Sequence, residues 1–197
     1  MHVYERSKES EKLDDVIIAI DSKETEDALK QYKPNIKMTH PDHLSGTDRV
    51  AEVIKDMDAD IILNIQGDEP MLDPLIINQL VDCFDDELVD MATIGSTVIN
   101  NSDYLNPNSV KVTINENGFA SSFCRDINDH QIGGYYHHVG IYGYRKNTLQ
   151  HLTNLDQTIN EKSLNLEQLR ALDNGIEIKV AMTDYPHRGI DLSLIHI

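Results

Sequence analysis

An α/β fold is what this 197-residue sequence predicts: a mostly parallel sheet with helices on both faces and an antiparallel insertion toward the carboxyl half. Three observations lead there. Short β-branched apolar runs such as "VIIAID" (16–21) and "DIILNIQ" (60–66) lack polar alternation, as strands covered on both faces do. Between them lie segments with helical apolar spacing. At 109–125 the rhythm changes, and "SVKVTI", "NENG" and "FASSFCR" read as two antiparallel strands around a glycine-containing turn.

The opening "MHVYER" reads as a helix, "VIIAID" as the first strand and "IKMT" (36–39) as the next. In "TDRVAEVIKDM" (47–57), Val50, Val53, Ile54 and Met57 share one helical face, with Ser45 or Thr47 placed to cap its start. The loop "HPDHLSG" precedes that helix. "DIILNIQ" is a buried strand, and "DPLIINQLVDCF" (73–84) a helix with Asp73 as N-cap and Pro74 at its first position. "MATIGSTVI" (91–99) is a further strand, followed by the hairpin. "HHVGIYGY" (137–144) is extended, "KSLNLEQLRALDNG" (162–175) is one amphipathic helix stopped by Asn174 and Gly175, and "IEIKVAMT" is the last strand.

Acidic residues outnumber basic ones, 34 to 17, for a formal charge of −17 spread along the chain. Phosphate contacts to a duplex need a basic stripe, so a nucleic-acid partner is not expected. An anionic small substrate would require a bound cation or a local arginine cluster. Cys83 and Cys124 lack paired spacing and suggest neither a disulfide framework nor a thiolate metal site. No run approaches the roughly 20 apolar residues of a membrane span, and the charged amino terminus has no signal-like core. The expectation is a soluble, cytoplasmic protein forming a single domain over 1–197.

In open α/β sheets ligands sit beyond the carboxyl ends of the strands, where "QGDEP" (66–70) falls. Asp68 there could hold Mg²⁺ through oxygen, with substrate phosphates completing the shell, or could merely cap amides in a solvated turn. Arg49, near the start of a helix, could grip a carboxylate, or pair with Glu52 or Asp48. His40 and His43 have loop spacing typical of ordinary surface. His138 and Tyr142 stand four apart on one strand face, where both could bind a polyhydroxy ligand or simply pack. Leu166 and Leu169 face the core, so Glu167 and Gln168 point elsewhere; "RGID" (188–191) ends on another acid, Asp191.

Taken in order, "SGTDRVAEV", "NIQGDEPM", "NPNSVKV", "HVGIYGYR", "LEQLRALDNG" and "RGID" closely resemble 3-deoxy-D-manno-octulosonate (KDO) cytidylyltransferase, the CMP-KDO synthetase family of lipopolysaccharide assembly. The resemblance runs from about residue 2 to residue 191. It implies a Rossmann-like nucleotidyltransferase domain, a homodimer formed through the antiparallel insertion at about 100–145, and transfer of CMP from CTP to the anomeric hydroxyl of KDO with release of pyrophosphate. It also implies Asp68 and Asp191 as the Mg²⁺-binding, catalytic aspartates. Arg49, Gln66, Tyr142, Glu167 and Gln168 match positions that bind the acidic sugar, with His138 beside them and Arg125 as a further candidate.

Family members open with a first strand and a loop rich in arginine, serine, glycine and lysine that holds the triphosphate. Neither that segment nor a G-x-x-x-x-G-K-[ST] loop is found in this sequence. The tail "LSLIHI" departs from the family's closing helix. The expectation is a sheet lacking its first strand, with unpaired edges, and little or no transferase activity from this chain alone. Alternatives are a cytidylyltransferase for an amino-KDO or a sialic acid, a non-catalytic sugar-binding or assembly subunit, and a fragment that binds no ligand.

Overall fold

A computed structural model describes residues 1–127 and 134–186. Helix α1 (His2–Lys8) leads into β1 (Ile18–Ile20), α2 (Lys23–Leu29), β2 (Ile36–Met38), α3 (Gly46–Ile54) and β3 (Ile61–Asn64). Then come α4 (Pro74–Asp82), β4 (Met91–Ser96), α5 (Asn101–Leu105), β5 (Lys111–Ile114), β6 (Ala120–Cys124) and β7 (Tyr136–Arg145). Helices α6 (Lys146–Thr153), α7 (Ile159–Leu164) and α8 (Gln168–Asp173) precede β8 (Ile178–Thr183).

The caps explain several boundaries. Ser45, not Thr47, caps α3 by accepting from the Asp48 amide. Asp73 caps α4, with Pro74 at the first turn, as the sequence predicts. Strands β1 and β4 are shorter than the apolar runs that predict them. Helices α2, α5 and α6 have no counterpart in the sequence reading.

The single helix expected over 162–175 is two. The backbone of Asn165 turns left-handed (φ 53, ψ 50) at the end of α7, a conformation asparagine tolerates better than most residues, and α8 begins afresh after it. The expected stop does occur, as Gly175 takes φ 76 and donates to the Leu172 carbonyl.

Strand order in the six-stranded sheet is β6-β5-β7-β4-β8, with β3 pairing β7 beside β5. Strands β3, β4, β5 and β8 run one way and β6 and β7 the other. The main direction is therefore the parallel one expected, but β7 lies between β3 and β4, making each of those contacts antiparallel. Helices cover both faces. On one, Val50, Ala51 and Ile54 of α3 pack with Leu149 and Leu152 of α6, Leu166, and Leu169 and Ala171 of α8. On the other, Leu72 and Ile76, Ile77 and Leu80 of α4 close over Ala92, Ile94, Val139 and Ile141. Burying such side chains contributes about 1.5–3 kcal/mol each.

The hairpin β5–β6 folds back on β8. The Val180 amide donates to the Gly118 carbonyl (2.9 Å), and Lys179 lies over the Phe119 ring. Lys111, on β5, is fully buried, its ammonium donating to the carbonyls of Asn106 (2.8 Å) and Arg125 (2.6 Å). Burial pushes its pKa down.

Strands β1 and β2 form a separate parallel pair. Among the described residues, the free edge of β1 and the edge of β3 away from β7 carry no strand, in line with the expected unpaired edges.

Candidate functional site

Of the sequence-predicted residues, Gln66, His138, Tyr142 and Glu167 come together where the end of β3, the start of α3, the middle of β7 and the start of α8 meet. Asn64, last residue of β3, is opposite Tyr142 in the ladder and donates to the Thr47 hydroxyl (3.2 Å). Gln66 reaches back to donate to the Asn64 side-chain carbonyl (3.0 Å), fixing its carboxamide against the helix start. Gly46 leaves room for that approach, since a Cβ there would come within 2.9 Å of Gln66 Nε2 and push the carboxamide aside.

Strand β7 carries an irregularity, its pairing with β4 jumping from Thr93↔Tyr142 to Ile94↔Val139. Thr93 fills it, its buried hydroxyl donating to the Ile141 carbonyl (2.8 Å). With that proton spent, the oxygen accepts from His138 Nε2–H (3.0 Å), which selects the imidazole tautomer. The His138 and Tyr142 rings lie 5.5 Å apart, so the predicted shared face is real. Burial raises the pKa of the Tyr142 phenol, with Tyr144 and Glu167 adding to the effect, and Tyr142 therefore stays a neutral hydrogen-bonding group.

Glu167 sits just before α8, beside Ser45 and Thr47. Burial raises its pKa, and those two hydroxyls and the Arg170 guanidinium offset the shift only in part. Its Oε1 is sealed from solvent without a hydrogen-bond partner. Gln168, expected to point away from the core, is instead 6% exposed, because α8 starts a new turn whose first residue faces inward. Beside Glu167 opens a cleft of about 390 Å³ lined by Leu44, Ser45, Lys162 and Asn165 among others.

The two arginines are elsewhere. Arg49 leaves α3 toward the small sheet, pairing with Asp21 (2.7 Å) and donating to Thr39. Its anticipated partner Glu52 is occupied by the His40 amide and the His43 ring. Arg125 spreads its guanidinium over the carbonyls of Pro107, Leu164 and Asn165, bracing the end of α7.

The two acids after Gly67 divide. Glu69 is buried against Gly140, whereas Asp68 is exposed and no hydrogen bond or ion pair of the described residues engages it. An exposed oxygen donor at the end of a strand suits a hard divalent cation that keeps waters and substrate oxygens in its shell. Asp191 lies outside the described residues, among which no cluster of three or more metal-ligating side chains occurs. Sequence reasoning missed Thr93, Asn64 and Thr47; the polar residues inside apolar strand runs were the available signal for the first two. No helix of the described residues is long and apolar enough to cross a membrane.

Fold and crevice, together with a match to a cytidylyltransferase family model, define the class as an α/β nucleotidyltransferase. The chain matches a solved structure of CMP:2-keto-3-deoxy-manno-octonic acid synthetase complexed with CTP, with a TM-score of 0.89 and 35% identity over 96% of this chain and 80% of that one. The family model, described as cytidylyltransferase, matches residues 1–178. Relatives named 3-deoxy-manno-octulosonate cytidylyltransferase from Trichlorobacter lovleyi and Koribacter versatilis are 39% and 40% identical, each over 96% of this chain and over 82% and 74% of their own lengths. The chain belongs to the 3-deoxy-manno-octulosonate cytidylyltransferase family.

Proposed function

We propose that this chain belongs to an enzyme that transfers CMP from CTP to the anomeric hydroxyl of KDO, releasing pyrophosphate, as a magnesium-dependent step of lipopolysaccharide assembly in the cytoplasm; low turnover is expected from the chain alone. The observation that carries this reading is the 35% identity and TM-score of 0.89 to a synthetase complexed with CTP. The polar crevice supports it. Gln66, His138, Tyr142, Glu167 and Gln168 offer neutral and acidic hydrogen-bonding groups suited to a polyhydroxylated ligand held in register.

Asp68 and Asp191 would hold magnesium, which when bound neutralises triphosphate charge and stabilises charge on the α-phosphoryl group. The residues around the crevice orient the sugar. The Asn64–Gln66–Thr47 bonds fix one wall, and the His138–Thr93 bond holds the imidazole in one tautomer facing Tyr142. Both substrates are anions and the chain is strongly acidic, so local positive charge must supply the attraction. Arg49 and Arg125 complete the proposal as that source, each exchanging a present partner for a sugar carboxylate in any direct contact. A homodimer through 100–145 belongs to the same reading.

Asp68→Ala, made in a protein that also carries the family's triphosphate-binding segment, is the deciding variant. Magnesium-dependent CTP binding and pyrophosphate release in the presence of KDO are expected to fall by about 100-fold or more, as for loss of a metal-held electrostatic contribution. Wild-type values for both in a folded Asp68→Ala protein would remove the metal assignment.

A further inference from the structure

We propose that Glu161 is a positioning residue for the sugar crevice: by taking the hydrogen bonds of the Arg170 guanidinium it holds Arg170 back from hydrogen-bonding Glu167, leaving the accessible side of the Glu167 carboxylate to a substrate hydroxyl. The inference rests on the reading that Glu167 contacts the sugar.

Glu161 is 4% exposed and closes a capping box on α7, its Oε2 accepting from the Thr158 amide (3.2 Å). The same carboxylate accepts from Arg170 Nε (2.9 Å) and Nη2 (2.6 Å), a two-point grip, and from Gln157 (3.3 Å). Arg170 is 4% exposed and cannot go unpaired at that depth. Its natural rival partner is Glu167, three residues earlier, at the spacing that brings helical side chains together. Yet Nη2 stands 3.9 Å from Glu167 Oε1, within ion-pair range but too far for a hydrogen bond. That sealed oxygen makes no hydrogen bond, and the Glu167 side chain as a whole is 32% exposed, so its accessible part faces the crevice.

Two acids thus compete for one guanidinium, and the one fixed in the α7 capping box wins. The ionisation trends agree: the hydrogen bond to Glu161 is the largest influence raising the Arg170 pKa, while Glu167 is shifted upward by burial. The other charged group acting on Glu167 is Asp48, which raises it further. Tyr142 and Tyr144 face it as neutral phenols. Without Glu161, Arg170 would turn to Glu167 and convert a ligand-facing acceptor into a hydrogen-bonded internal ion pair.

The test compares wild type, E161Q and E161Q/R170Q. In E161Q, carboxyl-carbon NMR should show the Glu167 titration moving down by about one pH unit, the size of a new close ion pair. Calorimetry should show KDO binding, measured with CTP analogue and magnesium present, weakened about tenfold with CTP analogue affinity unchanged. The double variant removes the rival cation and leaves two neutral amides, able to hydrogen-bond each other, where the buried pair stood. It should recover sugar affinity to within about threefold of wild type, a rescue that a purely structural role for Glu161 does not produce. E161D, which keeps the charge but retreats by one methylene, should shift both readouts in the same direction and serves if E161Q does not fold. An unmoved Glu167 titration in folded E161Q, or no rescue by the second substitution, overturns the inference. Absence of KDO binding by wild type overturns the sugar reading instead, and the Glu167 titration still decides the restraint.

Discussion

The two sheets are built to different standards. Every residue of β4 is buried, and β4 is flanked by β7 and β8 and covered on both faces. Strand β1 has one buried residue, Ile20, and β2 has none, while α2 buries no side chain at all. Polar contacts from α3 tie the small sheet down: Arg49 pairs with Asp21 and donates to buried Thr39. Strands with the same apolar sequence character therefore differ according to whether neighbours flank and cover them. Apolar content alone does not make a strand central.

The strongest way to break this contrast is Ile141→Ala. Ile141 is fully buried between α4 and the sheet, and its truncation should lower global stability by about 2–5 kcal/mol in a denaturant titration. A loss comparable to that of a surface substitution would show that the large sheet is not the stabilising unit. Arg49→Met sharpens the other side with a smaller effect. The pair is partly exposed, so the loss should be about 1 kcal/mol or less and confined to the small sheet. Hydrogen exchange should show the Ile18 and Thr39 amides, both bonded across β1 and β2, opening several-fold more readily while β4 is unchanged. An equal change in β4 would make the two sheets one cooperative unit.

Much of this was legible beforehand because it depends on local chemistry. Ser45 and Asp73 cap their helices through short-range bonds, "NENG" makes its turn, and Gly175 ends α8. The crevice residues Gln66, His138, Tyr142 and Glu167 were named from motif and spacing, and the fold brings them together. What escaped depended on distant partners. The path of β7 between β3 and β4 follows from burying Val139 and Ile141 on one face and Tyr144 on the other, which no window of sequence around β7 reveals. The direction of Arg49 depends on Asp21, and the break at Asn165 on a backbone conformation without a strong local signal.

The concealed amine of Lys111 has a practical consequence. Amine-acylating reagents modify exposed lysines at once, but this nitrogen is enclosed by two carbonyl groups and reaches solvent only when the strand pair around it separates. Its labelling rate, read by peptide mass, is therefore a built-in clock for separation of β5 and β6 at the end away from their turn.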